Sequence, residues 1–237
     1  MTVRLAANQP YLFPYIGYFQ LIRSVDVFVI SDDLNYIRRG WINRNRILVS
    51  GEPRLFSVPI ADASIFRKIN DTRVSLDEYP RWHRRFFATV QRAYQRAPCY
   101  TAVKALLDGV FTESVSTIGE LARSSVLTVC KYLDITTRIV ETSTLYGLRD
   151  SCRDERIHGL CRREGADTYV NFIGGTKLYS KEEFAQKAIS LKFLKSRDIV
   201  YGQFPKRPFV PSLSIIDVMM FNSVGDIQRM LDEYDLV

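Results

Sequence analysis

Three short stretches of this chain carry residue types that could do chemistry together. The first is Asn8-Gln9-Pro10-Tyr11, continued by Tyr15; the second is Ser31-Asp32-Asp33; the third is Trp41-Ile42-Asn43-Arg44-Asn45-Arg46. Adjacent carboxylates could accept a proton from an attacking group, hold a divalent cation or orient a sugar hydroxyl, because a like charge nearby raises one pKa. Asn8 and Gln9 offer amide donors and acceptors, while Tyr11, Tyr15 and Trp41 offer ring faces. Arg44 and Arg46 present forked guanidinium groups suited to phosphate or carboxylate. The candidate catalytic set is therefore Asp32, Asp33 and Gln9. The competing reading is that one aspartate caps a turn and the other faces water, a common use of such pairs.

A fourth stretch runs from Tyr169-Val170-Asn171 through Gly174-Gly175 to Lys177 and Tyr179. Two glycines after a strand let backbone N–H groups approach a ligand, and Lys177 could supply a countercharge. The spacing is neither that of a Walker A loop nor G-x-G-x-x-G. His83 and His158 have no Ser, Cys or Asp partner in any nucleophile motif, and Cys99, Cys130, Cys152 and Cys161 form no C-x-x-C pair, so no metal site is expected.

The net charge of +7 is uneven. Residues 1–100 hold 15 Lys+Arg against 8 Asp+Glu, and the rest of the chain balances at 18 against 18. Arg38, Arg39, Arg44, Arg46 and Arg54 have only Glu52 as a nearby acid. This block suits an anionic ligand, although the helix expected over Tyr79–Gln95, with Arg81, Arg84, Arg85 and Arg92, allows a plain solvated basic face. Nothing matches a nucleic-acid-binding signature. There is no basic-then-apolar leader and no run of about 18 apolar residues, so a cytoplasmic protein without membrane contact is expected.

Several elements must position these residues. Val3–Ala7 reads as a strand ending at Asn8-Gln9, Ile16–Ser24 as a short helix, and Asp26–Ile30 as a buried strand ending at Ser31-Asp32-Asp33, together a βαβ unit. The crossover rule then puts Asn8, Gln9, Asp32 and Asp33 on one sheet edge. Asn35–Ile60 reads as an antiparallel excursion, about 79–133 as a helical insertion, and Ile135–Val140 as a return to strand. A helix over Arg153–Arg163, strands over Thr168–Asn171 and Ile189–Phe193, a loop over Phe172–Thr176, a rigid loop at Pro205, Pro208 and Pro211, and capped helices opening at Ser180, Ser214-Asp217 and Ser223 complete the chain. With 237 residues, this is one α/β domain with a mixed sheet.

Asn8 to Phe19, Asp26 to Asp33, Trp41 to Arg46, Asn171 to Tyr179, Ile189 to Leu194 and Phe209 to Asp217 stand in an order and wording that resembles the WbqC-like protein family. The resemblance implies work in O-antigen or specialised-metabolite gene clusters, as an acyl or aminoacyl transferase acting on a sugar amine. Many relatives have His before the Gln-Pro pair, where this chain has Asn8, which removes an imidazole base at that point. The opening is also similar, at the level of fold alone, to nucleotidylyltransferase-like proteins, without their H-x-G-H signature.

Asp32 or Asp33 would then accept the amine proton. Asn8, Tyr11, Tyr15, Trp41, Asn43, Arg44, Arg46, Asn171, Gly174, Gly175, Lys177, Tyr179, Gln203 and Asp217 form the expected substrate-binding set. The expected partners are an anionic small molecule or nucleotide sugar, with an acyl-CoA or carrier protein as donor. No cofactor is required, and an acyl thioester or ATP with magnesium would suffice. The alternatives are a nucleotidylyl transferase or ATP-dependent ligase, and a non-catalytic binding protein of a biosynthetic complex.

Overall fold

A computed structural model of the protein describes residues 2–61, 64–112, 115–204 and 207–237. The first unit is as the sequence predicts. Strand β1 (Arg4–Asn8), helix α1 (Ile16–Arg23) and strand β2 (Val27–Ile30) follow one another, and β1 pairs parallel with β2 with Asn8 opposite Ile30. Every residue of β2 is buried, as expected of an unbroken apolar run inside a parallel sheet.

Strands β3 (Arg44–Val49) and β4 (Glu52–Ser57) form a separate antiparallel ribbon. Its tight turn places Ser50 and Gly51 at φ +55° and +84°. The strand pattern from Asn35 was read too early, because residues 35–43 form bends and an isolated bridge between Asn35 and Lys68. Helices α2 (Tyr79–Tyr94), α3 (Tyr100–Val110) and α4 (Ile118–Tyr132) make the helical middle. Thr117 and Glu120 close the capping box at the start of α4.

The last third alternates as β5 (Arg138–Val140), α5 (Arg153–Glu164), β6 (Thr168–Phe172), α6 (Lys181–Ala185), β7 (Ser190–Ser196), α7 (Ile215–Phe221), α8 (Val224–Met230) and β8 (Tyr234–Leu236). Helix α5 stops at Gly165 in the left-handed region. The stretch after β6, read as a loop, is a 3-10 turn over Ile173–Lys177. Strand β8 has no counterpart in the sequence reading: a three-residue edge strand with an aspartate in its middle leaves no apolar period. Pro205 lies outside the described residues.

The main sheet runs β5-β2-β1-β6-β7-β8, parallel except for β8. Counting the parallel strands along the chain gives the order third, second, first, fourth, fifth, which is that of doubly wound sheets. Side-chain alternation divides the interior into two cores. Leu5, Val27, Val29, Tyr169, Leu191 and Phe193 point into one, with α5 and α6; Ala6, Phe28, Ile30, Val170 and Leu194 point into the other, with the remaining helices. The strand order reverses direction between β1 and β6, so their carboxyl ends, Asn8 and Asn171-Phe172, border the crevice where such sheets take ligands.

Candidate functional site

The turn after β1 is built around one unusual residue. Phe13 is non-glycine, fully buried and left-handed, with φ +43°. A bulky residue there costs roughly 1–3 kcal/mol and persists only where its surroundings impose it. Here they do. The Phe13 N–H donates to Ser125 Oγ at 3.0 Å, and its carbonyl accepts from Asn45 Nδ2 and Ser214 Oγ, each at 2.7 Å. Asn45 Nδ2 also reaches the Leu12 carbonyl at 3.1 Å, Leu12 N–H donates to the Trp41 carbonyl at 3.0 Å, and Ile215 N–H donates to the Pro14 carbonyl at 2.9 Å. Helix α4, the ribbon and the start of α7 therefore all hold this one turn.

The clamp creates a cleft of about 210 Å³ lined by Tyr11, Pro14, Tyr15, Trp41, Asn45, Arg46 and Ser212. Tyr15 and Trp41 are each more than a third exposed, so their ring faces are available to a ligand. The guanidinium carbons of Arg44 and Arg46 lie 5.8 and 5.6 Å from the Trp41 ring centre, within cation–π distance of the indole. Arg46 donates to the Ser212 carbonyl at 3.1 Å, while its buried Nε has no hydrogen-bond partner among the described residues. Arg44 instead braces the preceding turn through the Gly40 and Arg39 carbonyls. Burial pushes the Tyr15 hydroxyl up to about 12, with the nearby Tyr11 adding to the shift, and burial also raises Tyr11; both are neutral donors at physiological pH. Gly17 makes room for Tyr15: a Cβ there would stand 2.3 Å from Tyr15 Cε2.

The crevice beside this cleft carries amides. Asn8 Oδ1 accepts from the Gln9 N–H, and Asn171 Oδ1 accepts from the Phe172 N–H, both at 2.8 Å. The two asparagines stand near the carboxyl ends of neighbouring strands, on opposite faces of the sheet by the strand register, each with its Nδ2 donor unbonded to any described residue, as is the Gln9 side chain. Phe172 joins crevice to cleft, its ring 6.2 Å from Tyr15 and 6.5 Å from Tyr18. Gly175 is buried against Asn171, where a Cβ would lie 2.7 Å from Nδ2, whereas Gly174 and Lys177 face solvent on the same turn. Tyr179 packs on Tyr169 and lies under the Arg153 guanidinium, away from the cleft lining.

Asp32 and Asp33 do reach the same sheet edge, but neither lines the cleft. Asp33 is sealed in an ion pair, with Arg156 forked across both its oxygens and Ser143 donating to one of them. Burial alone would raise its pKa; the Arg156 and Ser143 bonds outweigh that and hold it below the ordinary carboxylate value. Asp32 Oδ1 accepts from Thr142 Oγ1 at 2.8 Å and Ser143 N–H at 3.1 Å, while its Oδ2 accepts nothing from the described residues. Only Asp32 therefore keeps an oxygen for chemistry.

Three further expected binding residues belong to the scaffold. Asn43 bridges the Tyr36 hydroxyl and the Val58 carbonyl. Asp217, fully buried, accepts from Tyr94 at 2.6 Å, Tyr201 at 2.7 Å and Gln203 at 2.8 Å, a knot that joins α2, α7 and the irregular segment after β7. Burial raises its pKa against the lowering effect of those three donors. No spacing in the sequence links Ser125 or Ser214 to Phe13, or Arg156 to Asp33, and Ser214 is legible there only as a helix cap.

Among the described residues no group of three or more His, Cys, Asp and Glu could hold a metal ion, and no helix is long and apolar enough to cross a membrane. The model of the WbqC-like protein family matches residues 9–229. The chain is also similar to a protein of Mycobacterium tuberculosis (strain H37Rv) described as uncharacterized protein Rv1507c, 30% identical over 226 residues that cover 92% of this chain and 93% of that relative. No solved structure gives a significant match.

Two substitutions test this geometry. Gly17→Ala should leave the melting temperature unchanged or higher, since alanine favours helix, yet rotate Tyr15 out of place and alter its fluorescence quenching by ligand. Arg156→Met should lower stability by about 3–5 kcal/mol in urea titration, because it strands a buried carboxylate. Adding Asp33→Leu to Arg156→Met should recover most of the loss.

Proposed function

Because the chain belongs to the WbqC-like protein family, we propose that it transfers an acyl or aminoacyl group to the amine of a sugar carried on a phosphate or nucleotide, in assembly of a surface polysaccharide or specialised metabolite. The observation that supports the reading is a cleft lined by the exposed rings of Tyr15 and Trp41, the Tyr11 phenol and the Arg46 guanidinium, beside a crevice whose amides, Asn8, Gln9 and Asn171, stand at the strand ends. Ring faces suit the apolar side of a sugar or a base. The Arg46 guanidinium suits the anionic linkage. The amides of Asn8, Gln9 and Asn171 suit hydroxyl and carbonyl oxygens.

In such a transfer the amine nitrogen attacks the carbonyl carbon of a thioester, the C–S bond breaks, and the amine proton leaves as the thiol departs. No enzyme nucleophile is needed. Donors aimed at the developing oxyanion provide the main acceleration, and the loss of one costs about 10²–10³ in turnover. In this reading the Gln9 amide serves as that donor and Asp32 Oδ2 as the proton acceptor.

The second reading, a binding protein within a biosynthetic complex, has one observation in its favour: among the described residues no carboxylate or imidazole lines the cleft itself. The test is a coupled assay with a panel of acyl-CoA and aminoacyl thioester donors and nucleotide-linked amino sugars. Gln9→Ala and Arg46→Ala should each lower kcat/KM by about 10²-fold with unchanged melting temperatures. Sugar binding without product from any donor would favour the binding protein, and absence of both would end the proposal.

A further inference from the structure

The arginines of α2, legible in the sequence as a solvated helix face, do not stand alone. Arg85, Thr89, Arg92 and Arg96 recur at i, i+4, i+7 and i+11, which lines them up along one side of the helix and its continuation over about 16 Å. Across from them stand Arg54 and Leu55 of β4 and Val49 of β3, and at the far end Arg207. The two walls enclose a groove of two lobes, about 420 and 760 Å³, that share Val49, Thr89 and Arg92.

Each lobe holds three arginines, with Arg92 common to both, and no carboxylate lines either among the described residues. None of the five guanidinium groups has an ion pair with a described residue. The floor is apolar, formed by Ile47, Phe56, Trp82 and Phe86. The Arg207 stem is fitted to its position: it packs over Gly51, whose φ of +84° and missing side chain give it room, a Cβ there meeting Arg207 Cγ at 3.0 Å. Five like charges converging without acids repel one another, and this arrangement is stabilised when an anion fills it.

We propose that this groove is a second ligand site, separate from the aromatic cleft, that takes the phosphate groups of a small polyphosphorylated molecule, with its organic part on the apolar floor. Arginine rather than lysine fits forked binding of phosphate oxygens. The lobes have the size of small-molecule sites. Single-stranded nucleic acid fits less well, because successive bases need a run of exposed rings for stacking, and this floor offers one, the half-buried Trp82, with Phe56 and Phe86 buried beneath it.

The test is calorimetric titration of the full chain at low salt with inorganic tripolyphosphate, ATP, coenzyme A and an oligothymidylate. Tripolyphosphate should bind, and ATP or coenzyme A should bind more tightly if the floor holds the organic part. Arg92→Glu with Arg96→Glu should weaken binding at least tenfold. Arg162→Glu with Arg163→Glu, an equal charge change on α5, should leave tripolyphosphate binding intact, as should Trp41→Ala in the cleft. Binding weakened equally by both pairs would reduce the effect to net charge and overturn the site. So would binding of the oligothymidylate alone, or of no probe. Failure here leaves the cleft and its proposed reaction untouched, since the Trp41→Ala arm reads that site separately.

Discussion

Everything at the carboxyl edge of this sheet depends on holding Phe13 in a backbone conformation it would not adopt alone. Three buried side chains do this, Ser125 from α4, Asn45 from the ribbon and Ser214 from the cap of α7. They come from positions 112, 32 and 201 residues away in sequence. The Ser125 bond pairs the buried Phe13 N–H and the Asn45 and Ser214 bonds share its carbonyl; leaving either group unpaired would cost about 1–3 kcal/mol, the same order as the strain itself. The turn is therefore a joint product of the tertiary structure, and the Tyr11, Tyr15 and Trp41 rings are placed only when all three supports are in position.

The polar residues divide into two kinds on this basis. Asn43, Asn45, Asp33 and Asp217 are saturated by protein partners, and their role is to fix loops and helices relative to the sheet. Gln9, the Nδ2 groups of Asn8 and Asn171, and Arg46 Nε retain donors that nothing described takes up. Asn8, Gln9 and Asn171 lie at the switch point between β1 and β6, and Arg46 lines the cleft.

Local features of the fold were readable in the sequence. The apolar run of β2, the Thr117-Glu120 and Ser223-Asp226 caps, and the Gly165 stop are each determined by residues within a few positions of one another. Asp217 was read as the opening of a helix, which its position in the first turn of α7 supports, but its carboxylate serves Tyr94, 123 residues earlier. Asp33 finds Arg156 at the same separation. Such pairings leave no periodic or spacing signal, so the sequence reveals a carboxylate but not whether it is spent. The arginines show the converse: Arg54, Arg92 and Arg207 look scattered along the chain, and only the packing of α2 beside the ribbon brings them to one groove.

The chain has only two tryptophans, and each marks a different site, Trp41 the cleft and Trp82 the arginine groove. Indole nitrogen-15 labelling followed by titration with nucleotide-linked amino sugars therefore tests the central claim directly. The clamped turn predicts a saturable shift of the Trp41 Nε1–H resonance, lost in Asn45→Ala. A ligand that shifts Trp82 alone, or leaves both resonances where they were, would contradict it.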